Sequence, residues 1–90
     1  KQAVRAGRDP MEYVRALGNS IVHVHISDSD AEKDCLPVGS GTMDLQNLME
    51  CLMKEGFCGN VLQEVYRESY EKEEEVLLGY RNLEQLISTL

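Results

Sequence analysis

The spacing of hydrophobic residues predicts three helices along the chain. Asp9 is suited to cap the first helix and Pro10 to open it, and this helix is predicted over about residues 10–17. Apolar residues that recur three and four positions apart predict the other two helices, over about residues 44–55 and 75–89. The acidic run at residues 73–75 is interpreted as a solvated first turn, because carboxylates stabilise a helix N-terminus.

Segments rich in β-branched residues predict two strands, over about residues 21–27 and 61–66. Side chains alternate along a strand, so His23 and His25 share one face of the first strand. Glu64 is placed on one face of the second strand, and Gln63 on the face where helices are expected to pack. A hydrophobic residue is expected at such a helix-facing position, so Gln63 is an exception to the pattern.

The order of the predicted elements is α-β-α-β-α, and a helical crossover between strands is the βαβ unit of a parallel sheet. We therefore expect an α/β fold with parallel strands. Two strands are too few for a stable sheet, so residues 1–90 are predicted to form a single partial domain. The expected neighbours are the remainder of a larger structure or another copy of the chain, which predicts a homo-oligomer as one solution.

The composition limits the binding partners and the cellular compartment that we expect for this chain. Lys and Arg number 9 against 16 Asp and Glu, a net charge of −7, which disfavours a nucleic-acid surface. No apolar run is long enough to predict a membrane span, and the first residues lack the apolar core of a signal peptide. The 3 cysteines form no C-x-x-C pair and are interpreted as reduced thiols. We expect a cytoplasmic protein without nucleic-acid or membrane partners.

Candidate chemistry is concentrated at the carboxyl ends of the predicted strands, where parallel α/β folds bind their ligands. The residues at this edge are His23, His25, Asp28 and Glu64. Imidazole and carboxylate together suit a divalent metal such as manganese, cobalt, zinc or iron. Alternative interpretations are that His25 is a satisfied histidine at a strand end and that Asp28 caps a turn. The long loop after the first strand is typical of a functional loop.

The chain resembles a known barrel superfamily in three segments that follow the family order and spacing. The segments are residues 23–29 (HVHISDS), 36–44 (LPVGSGTMD) and 54–65 (KEGFCGNVLQEV). They resemble the xylose isomerase-like TIM barrels, which include sugar-phosphate isomerases and epimerases and the endonuclease IV enzymes. The resemblance implies a C-terminal α-β-α-β-α fragment of a (β/α)8 barrel, whose two predicted strands correspond to the seventh and eighth of the family.

The resemblance also implies roles for individual residues. His25 matches a metal ligand of the family, and Glu64 matches the catalytic carboxylate that binds the metal and exchanges a substrate proton. His23 lies one step deeper on the same face and is expected to line the barrel interior, and His23 and Asp28 are the candidate substrate-binding residues. The implied reaction on a sugar or sugar phosphate is proton transfer through an enediolate stabilised by a divalent metal. The other family ligands lie on earlier strands, so the isolated chain is expected to be inactive.

Two other functions remain open. A non-catalytic half-barrel module could self-associate through its unpaired strand edges, with His25 and Glu64 of each copy forming a two-fold metal site. An endonuclease IV-like phosphodiesterase is less favoured, because Lys33 and Cys35 stand where those enzymes carry further ligands. Ala31 stands where the ketose epimerases carry a substrate-binding arginine, so their particular substrates are not implied.

Overall fold

A computed structural model describes all 90 residues of the chain. Helices and strands follow one another as α1 (Gln2–Arg5), α2 (Pro10–Leu17), β1 (His23–Ile26), α3 (Leu45–Lys54), β2 (Asn60–Gln63) and α4 (Glu73–Ser88). Short 3-10 turns cover Gly18–Ser20 and Arg67–Ser69. None of the helices combines the length and the hydropathy that a membrane span requires.

The strands β1 and β2 form a parallel pair, which confirms the predicted α/β character of the chain. In the register of this pair His25 lies opposite Leu62 and Ile26 lies opposite Gln63. Each strand has 4 residues and is shorter than its predicted segment. A 3-10 turn at Gly18–Ser20 precedes β1, which begins at His23. Beyond the other end of β1, Asp28 pairs with Leu36 of the following loop.

The helices begin and end close to the predicted residues. The side chain of Asp9 accepts a hydrogen bond from the Met11 N–H at 3.0 Å and so caps α2. The helix α4 begins two residues earlier than predicted, at Glu73, so that the acidic run forms its first turn. The Glu75 carboxylate accepts the N–H groups of Glu71 and Lys72, each at 2.7 Å, and these bonds lower its pKa.

The hydrophobic core lies on one face of the sheet, between the strands and the helices α2, α3 and α4. Its buried members are Val14, Ile26, Val38, Leu45, Met49, Leu52, Phe57 and Leu83. The opposite face is exposed and carries His23, His25 and Leu62, the last with 53% of its surface accessible. The histidines therefore lie on the open face of the sheet, away from the core.

Gln63 is explained by hydrogen bonds that the sequence pattern did not reveal. Its Oε1 accepts the Val38 N–H at 2.9 Å, and its Nε2 donates to the Val76 carbonyl at 3.2 Å. The buried Gly79 of α4 permits this arrangement, because a Cβ there would overlap Gln63 Oε1 and lie 3.0 Å from the Val38 nitrogen. One amide side chain thus joins β2 to the long loop and to α4.

We predict that Gln63→Leu lowers the free energy of unfolding by about 1–2 kcal/mol, because the Val38 N–H loses its acceptor in a half-buried environment. Urea denaturation followed by circular dichroism measures the change. Leu62→Gln on the exposed face is the matched control and is expected to stay within about 0.5 kcal/mol of the parent chain. Equal effects of the two substitutions would contradict the structural role of Gln63.

Candidate functional site

His25 and Glu64 lie side by side at the carboxyl ends of the paired strands. His25 Nδ1 is 3.7 Å from Glu64 Oε2, and the side chains remain 49% and 36% exposed. The Glu64 N–H donates to the Ile26 carbonyl at 2.9 Å, which extends the pairing one residue beyond β2. The backbone therefore fixes the position of Glu64 beside His25, and solvent reaches the two side chains.

Lys1 lies on the other side of the Glu64 carboxylate. Its Nζ donates to the Tyr66 hydroxyl and is 3.6 Å from Glu64 Oε1. The same ammonium lies 4.2 Å from the centroid of the Tyr66 ring. The hydrogen bond to Tyr66 raises the pKa of Lys1, and the charge of Glu64 adds to the rise against the opposing effect of desolvation. The two oxygens of Glu64 thus have different neighbours, an imidazole and an ammonium.

His23 is the second imidazole of the exposed face. Its ring packs edge-on against His25, with centroids 4.9 Å apart and an interplanar angle of 80°. The two imidazoles therefore contact each other on the exposed face of the sheet. Substrate binding by His23 stays a prediction.

Asp28 organises the loop that follows β1. The residue is 2% exposed, and its carboxylate accepts the N–H groups of Ser29, Gly39 and Met43 at 2.8, 3.0 and 3.1 Å. Gly41 packs so closely that a Cβ there would overlap Asp28 Oδ1. These bonds give Asp28 a structural role in the loop, and the turn-forming alternative describes its geometry. Binding of substrate by Asp28 stays a prediction.

The helix α1 is attached to the loop by Arg5. Its guanidinium pairs with the Asp34 carboxylate, with Nη2 3.2 Å from Oδ1, and lies 5.3 Å from the centroid of the Tyr66 ring. The guanidinium holds the pKa of Asp34 below its usual range. Arg5 therefore holds α1 against the loop after β1, and Lys1 holds it against Tyr66, which follows β2.

Cys35 contacts the backbone carbonyl of Glu64, a contact that the sequence did not predict. The residue is fully buried with a positive φ of 56°, and its thiol donates to the Glu64 carbonyl at 3.3 Å. Left-handed backbone at a residue with a Cβ is uncommon and is kept only where the surrounding contacts enforce it. A single cysteine in a polar loop gives no sequence signal of such a contact.

A cavity of about 720 Å³ opens beside this pair of side chains. Its lining includes His25, Glu64 and Lys1, together with apolar residues from α1, α2, α3 and β1. His23 and Asp28 do not line it. The structure thus brings two of the sequence-predicted site residues, His25 and Glu64, to the cavity and does not bring the other two there.

The donor atoms of His25 and Glu64 fit a shared divalent cation. Two ligands at about 2.1 Å from a tetrahedral metal lie about 3.4 Å apart, close to the 3.7 Å observed. No group of 3 or more His, Cys, Asp or Glu side chains is arranged to hold a metal ion. A neutral imidazole and a carboxylate are the ligand types that manganese, cobalt, zinc and iron accept.

Comparisons of the chain with protein-family models, with curated proteins and with solved structures found no significant match.

We predict that Asp28→Ala lowers the free energy of unfolding by about 3 kcal/mol, because three backbone N–H groups lose a buried charged acceptor. Urea denaturation measures this change. Asp30→Ala removes a carboxylate that accepts N–H groups at an exposed position of the same loop and is expected to cost less. A loss no greater than that of the control would contradict the structural role of Asp28.

A second prediction concerns Arg5→Gln, which is expected to raise the pKa of Asp34 toward its ordinary value. Because the folded chain lowers this pKa, the Arg5–Asp34 pair stabilises the fold above the unfolded pKa of aspartate, and this contribution is lost as the pH falls through the lowered value. Titration of the Asp34 carboxyl carbon by NMR measures the pKa. Arg15→Gln on α2 is the control, and an unchanged Asp34 pKa in Arg5→Gln would contradict the pairing.

Proposed function

We propose that this chain supplies His25 and Glu64 as ligands of a divalent cation in a metal-dependent isomerase or epimerase of hydroxy-carbonyl compounds, the class that includes sugars and sugar phosphates. The 3.7 Å approach of His25 Nδ1 to Glu64 Oε2 is the observation that carries the proposal. Its position at the carboxyl ends of parallel strands supports it, because ligands bind at this edge in parallel α/β folds.

Each residue has a distinct role in this proposal. His25 would hold the cation through Nδ1, and the His23 ring contacts the imidazole. A divalent cation, when bound, supplies charge stabilisation to neighbouring oxygens of the substrate. Glu64 would hold the cation through Oε2, and its carboxylate would take the proton from the carbon beside the substrate carbonyl and later return it. Lys1 holds Oε1 by charge attraction and so keeps the carboxylate directed toward His25.

The proposal includes ligands from outside these two strands. A metal site open to substrate has about three protein ligands, and His25 and Glu64 supply two of them. A further part of a (β/α)8 barrel or another copy of the chain would bring the rest to the same edge. The outer edge of β2 pairs with no further strand and is available for such pairing, because the sheet contains only β1 and β2.

A non-catalytic self-associating module is the second candidate. The unpaired edge of β2 favours it, together with two exposed apolar side chains, Val22 at 75% and Leu62 at 53% accessibility. In this alternative, the same surface binds a second copy and no cation is needed. Sedimentation velocity with and without added manganese tests whether copies share a metal site, because association through strand edges alone does not depend on the cation.

We predict that Glu64→Gln and His25→Ala each weaken cobalt or manganese binding at least about 10-fold, since loss of even a second-shell group costs that much in metal sites. Titration of cobalt absorbance measures affinity, and manganese relaxivity checks it. Glu68→Gln removes an exposed carboxylate in the neighbouring turn and is expected to change nothing.

A second readout tests the chemistry. The sample contains manganese and the part of the barrel, or the second copy of the chain, that supplies the remaining ligands. Solvent deuterium is expected to replace the hydrogen on the carbon beside the carbonyl of a hydroxy ketone. Glu64→Gln is expected to abolish this exchange. Cation binding that is unchanged in both His25→Ala and Glu64→Gln would contradict the proposed metal site. Exchange that persists in Glu64→Gln would remove Glu64 from proton transfer.

A further inference from the structure

The cavity beside His25 and Glu64 is large for a chain of this size. It is an open groove of about 720 Å³ between the helices α1, α2 and α3 and the strand β1. Protein interiors are otherwise close-packed, and spaces of several hundred Å³ are typical of small-molecule sites. Buried core residues, among them Val14, Ile26 and Leu52, form part of its wall. The cavity therefore extends from the polar edge of the sheet into the hydrophobic core.

The wall is apolar apart from one polar patch. Of its 16 lining residues, 10 are hydrophobic. The apolar residues are Ala3, Ala6, Tyr13, Val14, Ile21, Val24, Ile26, Met43, Leu48 and Leu52. In the polar patch, the Glu64 carboxylate is 3.6 Å from the Lys1 ammonium and 3.7 Å from His25 Nδ1. The polar group of a bound molecule would thus contact the polar patch, and its apolar part would contact the apolar wall.

We propose that this cavity binds a hydroxy ketone with an alkyl chain: the hydroxy-carbonyl head contacts Lys1, His25 and Glu64, and the alkyl chain lies along the apolar wall. The choice of head group rests on the proposed function. The alkyl chain rests on the lining of the cavity alone. The inference narrows the substrate class from sugars in general to hydroxy ketones with few oxygen atoms beyond the head.

A phosphorylated or polyhydroxylated chain fits this wall poorly. Phosphate is bound by Arg, Lys or clustered N–H donors. Lys1 is the one Lys or Arg in the lining, and the Glu64 carboxylate 3.6 Å from its ammonium opposes an anionic phosphate but not a neutral hydroxy-carbonyl head. The guanidinium of Arg5 is paired with Asp34. Hydroxyl groups placed against valine, leucine and isoleucine side chains would lose their hydrogen bonds to water without replacement, which opposes binding.

The test is a series of hydroxymethyl ketones with ethyl, butyl and hexyl chains, titrated into the 90-residue chain without metal and followed by NMR of methyl groups. Because each buried methylene favours binding, affinity is expected to rise about two- to four-fold per methylene. Dihydroxyacetone phosphate is expected to bind more weakly than the hexyl ketone. Affinity that does not depend on alkyl length would overturn the inference.

Matched variants locate the binding site. Ala3→Leu on α1 places a larger side chain in the lining and is expected to weaken the hexyl ketone about 10-fold while leaving cobalt affinity unchanged. Ala16→Leu makes the same change at an exposed position of α2 outside the lining and is expected to have no effect. Equal affinities in the two variants would overturn the assignment of the alkyl chain to this cavity.

The two proposals fail in different experiments. If alkyl length controls affinity but His25→Ala leaves cobalt binding unchanged, the cavity inference stands and the proposed metal site is wrong. If cobalt binding depends on His25 and Glu64 but alkyl length has no effect, the proposed metal site stands and the cavity inference is wrong.

Discussion

The parallel pairing of β1 with β2 is the constraint on which the rest of the structure depends. Parallel strands end at the same edge of a sheet, so the register that places His25 opposite Leu62 also brings Glu64 beside the imidazole. The same arrangement requires a crossover, and α3 provides it while covering one face of the strands. A hairpin between these strands would place their carboxyl ends at opposite edges and separate the two side chains.

Two polar side chains, Asp28 after β1 and Gln63 on β2, hold the crossover in place. Asp28 gathers N–H groups from both ends of the loop, and Gln63 joins that loop to α4. Glycines at positions 41 and 79 allow the close approaches that these side chains need. Buried polar groups are tolerated because each has a partner, and no buried side-chain nitrogen or oxygen lacks one. The loop therefore has a defined shape without regular secondary structure.

Local patterns predicted α2, α3 and α4, and the order of the elements predicted the parallel pair and placed His25 and Glu64 at the same edge. The helix α1 was not among the predicted elements. The partners of Gln63 and Asp28 could not be predicted, since they lie 25 and up to 15 positions away along the chain. The contact between Lys1 and Tyr66 spans 65 positions. Nothing in a single sequence marks such pairs. The predicted strands were too long, because residues with high β-propensity continue beyond the paired segment. After β1, for example, the backbone of Asp28 bonds to Leu36 of the loop and not to β2.

The charge around Glu64 is arranged so that one carboxylate can serve two neighbours. Its Oε1 faces the Lys1 ammonium and its Oε2 faces His25, so a cation bound on the His25 side leaves the Lys1 contact in place. The ammonium repels such a cation but also orients the carboxylate, and solvent exposure of the pair reduces the repulsion. Orientation therefore comes from residues far apart in sequence, while the ligand atoms come from the strand ends. A site built in this way depends on the attachment of α1 as much as on the sheet.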